Sequence, residues 1–188
     1  MISTEQPSDQ PTCTAFLGDR RVAAGTYAEV TRLLDALPAS NEGLLVFDDS
    51  TGAVLDRPLP VVPVVPEPAP TVGRPRLGVV AREVTLLPRH WAWLAQQRGG
   101  ASAALRRLVD EARRQHADVD VQRQARERAY RCMSALAADL AGFEEASRAL
   151  FAGDAGAFEQ HTAHWPQDVR QHIVRLASGG FDAAEPAT

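Results

Sequence analysis

The side chains best placed to do chemistry in this chain are the arginines of one segment. Residues 73–114 carry nine Arg against three acids, a net charge of +6, within a protein whose formal net charge is −4. Residues 1–72 carry four Arg against ten acids, and residues 115–188 carry seven against eleven. One sign of charge concentrated inside an acidic protein marks a surface for an oppositely charged partner. Arg106, Arg107, Arg113 and Arg114 fall on the side of a predicted helix away from Leu105, Leu108, Val109 and Ala112. Together with Arg74, Arg76, Arg82 and Arg89 they can neutralise several phosphates, which makes binding salt-sensitive. The acids of the flanking segments offer the opposite outlet, neutralisation inside the molecule. All 20 basic residues are arginine. That usage, with the richness in alanine, fits GC-rich codons and does not by itself argue for phosphate contacts.

Other constellations read as structure. His161 and His164, three apart beside Glu159, have a metal-ligand spacing, but no second Glu-x-x-His pair accompanies them, so they read as surface histidines. Glu144 and Glu145 open a predicted helix, where acids offset the helix dipole. Asp48 and Asp49 end an apolar strand before Ser-Thr-Gly and read as a hairpin turn. Cys13 and Cys132 lack metal-ligand spacing and read as reduced thiols. GxGxxG, GxxxxGK, GxSxG and HExxH are all missing, so the sequence leans away from an enzyme and leaves one of unknown type as a third reading, with no cofactor and no metal expected.

The elements that must position these residues suggest an α+β fold. Thr14–Gly18 and the RVAAG run form a β-hairpin, and Thr26 with Glu29 has capping-box spacing before a helix over Tyr27–Leu37. Gly43–Asp49 is an apolar strand, with AVLD beginning a hairpin partner. Seven prolines between Pro58 and Pro75 exclude a helix or central strand, so residues 58–75 read as a semi-rigid linker after an N-terminal α/β unit (1–57). Residues 76–182 then read as a basic strand-helix-helix followed by a C-terminal helical bundle. Its elements are a strand Val79–Leu87, a helix from Pro88 with Trp91 and Leu94 on one face, and a break at Gly99-Gly100. A helix capped by Ser102 runs to Arg114, and a longer one over about Val121–Leu140 buries Tyr130, Met133, Leu136, Ala137 and Leu140. Shorter helices lie over Phe143–Phe151, after Asp154 and after Trp165-Pro166. The tail 183–188 is expected to be disordered. The N-terminus has neither the basic nor the apolar part of a secretion signal and no apolar run reaches a membrane span, so a cytoplasmic protein with no membrane partner is expected.

The central segment resembles the ribbon-helix-helix DNA-binding fold. The carrying residues are Val84-Thr85-Leu86-Leu87-Pro88, Trp91, Leu94, Gly100-Ala101-Ser102 and Leu105-Arg106-Arg107-Leu108. The resemblance implies a homodimer formed through strand Arg82–Leu87, whose paired ribbon enters the major groove of duplex DNA. It implies base contacts from Arg82 and Thr85, and a phosphate held by Ser102 and the amides beside it. The strand departs from the family pattern: Leu86 and Leu87 are adjacent where an outward polar residue is expected, and Glu83 repels phosphate. Gly73-Arg74-Pro75-Arg76 shares its core with the AT-hook, four residues in a chain rich in Arg, Pro and Gly. Nearly the whole chain, through LVFDDSTG (45–52), residues 73–94, residues 99–114, residues 129–154 and WPQDVR (165–170), is similar to bacterial domain-of-unknown-function family 2239. That resemblance implies a bacterial cytoplasmic protein and supplies no catalytic residue. The expectation is a nucleic-acid-binding regulator; the alternative is a protein-interaction module whose basic helix docks on an acidic partner.

Overall fold

A computed structural model of the chain describes residues 10–36, 42–57, 59 and 80–181. The linker expected over 58–75, apart from Leu59, and the tail 183–188 lie outside the described residues. The fold is α+β: one three-stranded antiparallel sheet near the N-terminus, and helices. It divides into two compact units, Met1–Val62 with Val119–Thr188, and Pro63–Asp118. The contacts therefore group the N-terminal strands with the C-terminal helices, whereas the sequence division placed these in separate segments.

In the first unit, strands β1 (Thr12–Leu17), β2 (Arg20–Thr26) and β3 (Leu44–Asp48) form a sheet of order β2-β1-β3. Alternation along β1 gives the sheet two apolar faces. Cys13, Ala15 and Val46 face helix α1 (Tyr27–Asp35) through Tyr27, Val30 and Leu34, and Leu59 joins them. Phe16 and Phe47 belong to the larger core, with Ala129, Cys132 and Met133, Leu150, Phe158, Val169, Ile173 and Leu176. The first three come from helix α3 (Gly100–Leu136), and the rest from α4 (Phe143–Ala152), α5 (Ala155–Thr162) and α6 (Gln167–Ala177).

Local signals set several of these boundaries. Thr26 and Glu29 close the expected capping box at the start of α1. Gly153 ends α4, and Asp154 caps α5 by accepting from the amide of Ala157 at 2.9 Å. The AVLD partner of β3 is reduced to one bridge, Val54 to Phe47. Gly52, in the turn between them, has φ +68° and lies so close to the Arg128 carbonyl that a Cβ would overlap it. That close approach accounts for the glycine of LVFDDSTG.

In the second unit, α2 (Pro88–Ala95) opens on Pro88 as expected, and Gly99 and Gly100, at φ +85° and +74°, turn the chain into α3. Four expectations are corrected here. Residues 80–87 form no strand: they pair with nothing among the described residues, and a lone strand leaves its backbone groups to solvent. Ser102 is not a cap, because α3 begins at Gly100 and holds Ser102 in its first turn. The two helices expected over 102–114 and 121–140 are one, since Gln115–Asp120 contains neither Gly nor Pro to stop it. Tyr130, expected inside, is 37% exposed.

Candidate nucleic-acid interface

The second unit has almost no interior. Among residues 80–118 only Leu94 and Ala104 are buried. The apolar faces expected to make a core are open instead: Val80, Val84, Leu87, Trp91, Trp93, Leu108 and Val109 are all exposed. Segments of about 40 residues rarely hold a fold without disulfides, metal or association. The described part of this unit has neither disulfide nor metal cluster.

The basic side chains lie on the same residues. Arg82 and Thr85 are exposed in the irregular stretch before α2, and Arg89 is exposed in the first turn of that helix. Ser102, Arg106 and Arg107 are exposed on α3. Arg74 and Arg76 lie outside the described residues. Among the described residues, no carboxylate lies within ion-pair distance of Arg82, Arg89, Arg98, Arg106, Arg107 or Arg113. Arg107 donates to the Arg98 carbonyl at 3.0 Å. Of the arginines described in this unit, Arg114 alone is ion-paired, with Glu111 at 2.6 Å. A groove of about 450 Å³ runs between α2 and α3, lined by Trp93, Gln97, Ala104, Arg107, Leu108 and Asp110 with the Glu111–Arg114 pair. The structure thus brings Arg106 and Arg107 together on one helix and places Ser102 in the first turn of the same helix.

The polar cluster in the first unit has a different character. The Asp48 carboxylate accepts from the amides of Ser50 (2.8 Å) and Thr51 (2.9 Å), and from the Tyr27 hydroxyl. Burial pushes its pKa up, but these bonds outweigh burial and hold it below the usual carboxylate range. Asp48 is therefore the turn residue expected from the sequence. Asp49 was read as part of the same turn, yet it reaches inward. It accepts from Thr14 at 2.8 Å and pairs with Arg175 of α6 at 3.0 Å. Arg175 also contacts His172 Nδ1 at 3.1 Å. Because arginine only donates, Nδ1 is the acceptor and the proton sits on Nε2, which is buried with no partner. His172 lies against Phe16, ring centroids 5.2 Å apart, and its pKa is lowered to about 4, first by burial and then by Arg175. This histidine carried no sequence signal, since it stands alone on an amphipathic helix.

The remaining candidates are structural. Both cysteines are free and buried, and burial pushes Cys13 up to about 11 and Cys132 to about 12, far from a reactive thiolate. Helix α5 ends at Thr162, so His164 lies beyond it and does not share a helix with His161. Among the described residues no three His, Cys, Asp or Glu side chains converge as a metal site. Glu144 and Glu145 sit in the first turn of α4. No helix among the described residues is long and apolar enough to cross a membrane.

These features define an α+β protein with a well-packed sheet-and-helix unit and a basic helical hairpin of open apolar faces. The chain belongs to the family DUF2239, described as an uncharacterized protein conserved in bacteria, whose model matches residues 12–177. That match brings no ribbon-helix-helix assignment for the central segment, which rests on the residues themselves. No curated protein and no solved structure matches the chain.

Proposed function

We propose that this protein is a cytoplasmic nucleic-acid-binding regulator that dimerises and holds duplex DNA through its basic hairpin. The observation that carries the reading is the set of six exposed arginines on residues 80–118 with no carboxylate partner among the described residues. Arginines that ion-pair with no carboxylate described in the chain are free to replace the counterions of a phosphate backbone. Arg106 and Arg107 are the leading phosphate contacts, with Arg89 and Arg98 as further candidates.

The open apolar residues support a second copy as the missing half of this unit. The unpaired stretch 82–87 has backbone donors and acceptors available to the same stretch of a partner. Val84, Leu87, Trp91 and Val109 can be covered in the process. The ribbon so formed would present Arg82 and Thr85 to base edges.

Gel-shift titration with duplex DNA at low salt tests the reading, with sedimentation equilibrium for the dimer. Binding by a dimer that weakens steeply as salt rises is the expected result. Absence of any shift at low salt overturns the reading. Arginine-dependent capture of an acidic protein without DNA binding would favour the docking alternative.

A further inference from the structure

We infer that the groove between α2 and α3 binds one unpaired nucleobase bearing an exocyclic amino group, stacked on Trp93. The inference rests on the nucleic-acid reading above and extends it from duplex DNA to a base that is out of its pair.

Trp93 is 49% exposed and Leu108, across the groove, 48%. A half-exposed indole beside an apolar wall is a stacking platform, and the groove's volume of about 450 Å³ exceeds that of a single base. Trp93 stands apart from the face offered to a second copy. It is two residues from Trp91, roughly 200° round the helix at about 100° per residue.

The polar groups select among occupants. Glu111 is already engaged, by Arg114 at 2.6 Å and Gln115 at 2.8 Å, and Gln97 donates to the Trp93 carbonyl at 3.2 Å. Two groups of the lining remain available. Among the described residues the Asp110 carboxylate takes no hydrogen bond and no ion pair, and Arg107 spends one donor on the Arg98 carbonyl and pairs with no carboxylate. A free carboxylate accepts from the N4 amino group of cytosine and repels the O4 acceptor of thymine. The remaining donors of the Arg107 guanidinium serve the phosphate of the same nucleotide. A stacking ring, an amino-group acceptor and a phosphate donor thus line the same groove. The apolar and anionic parts of the lining explain why a base rather than a phosphate occupies it.

The test uses the full chain carrying Trp91→Phe, which leaves Trp93 as the exposed indole, since Trp165 is only 6% exposed. Fluorescence is titrated with short oligo(dC) and oligo(dT) at low salt and mildly alkaline pH, where cytosine is unprotonated. Oligo(dC) is expected to quench at several-fold lower concentration than oligo(dT). Asp110→Ala is expected to erase that preference while keeping binding, and Trp93→Ala to weaken oligo(dC) binding roughly tenfold or more, as a stacked base contributes about 1–3 kcal/mol. Quenching without base preference, or emission of Trp93 already shielded by a second copy, overturns the inference. Duplex binding with no response to either oligonucleotide overturns it and leaves the nucleic-acid reading standing. Failure of all three nucleic acids to bind overturns both.

Discussion

The two units treat arginine in opposite ways. In the first, arginines hold elements together. Arg175 ties α6 to Asp49, and Arg128 donates to the carbonyls of Leu176 and Ser178 at 2.6 and 3.1 Å. Arg131 reaches the Thr51 carbonyl at 2.8 Å. Arg123 bridges Asp120 and Glu127, both at 3.1 Å. In the second unit six arginines touch no carboxylate among the described residues. Apolar side chains divide the same way: Phe16, Phe47 and Ile173 are fully buried in the first, while Trp91, Trp93 and Val109 are half open in the second. The difference separates residues kept for folding from residues whose cost in solubility and self-repulsion has no return inside the monomer.

That comparison is most easily broken by core truncation. Phe16→Ala should cost about 3–5 kcal/mol, the range for emptying a packed aromatic site. Trp91→Ala in the second unit should change monomer stability by less than about 1 kcal/mol. Chemical denaturation of dilute protein measures both, and equal losses would mean that the hairpin has a core of its own.

The next effect is a pH dependence of the first unit. The folded state holds His172 neutral down to about pH 4, whereas the unfolded chain takes up the proton near 6.5. The unfolded state therefore binds more protons between those values, and stability falls as pH drops from about 6.5 towards 4, by ~3 kcal/mol in total. His172→Gln should flatten that part of the stability–pH curve relative to the wild type. A variant curve parallel to the wild type would show that His172 is not the buried neutral group described.

Legibility from sequence followed the range of the interaction. Thr26 with Glu29 and Asp154 with Ala157 act within three residues, so the helices they start could be read directly. The Asp49–Arg175 tie could not, because Arg175 bonds to residues such as Thr14 that stand 161 positions away. The strand expected over 79–87 has β-branched residues, but residues 80–87 find no neighbour among the described residues, and strand propensity without a partner forms no ladder. The basic segment was visible as a charge count. What the count could not reveal is which arginines the fold leaves unused, or that Trp93 and Asp110 line one groove with Arg107.

The smallest effect on stability should accompany the largest effect on binding. Arg106→Gln/Arg107→Gln should leave the unfolding free energy within about 0.5 kcal/mol, since both side chains are exposed and ion-pair with nothing described. The direct measurement is the affinity of wild type and this double variant for duplex DNA across a salt series. The wild type should show log K falling linearly with log salt, and the variant should lose roughly two units of that slope, one for each phosphate contact removed. Absence of binding, or the same slope in both proteins, would contradict the assignment of these arginines to phosphate.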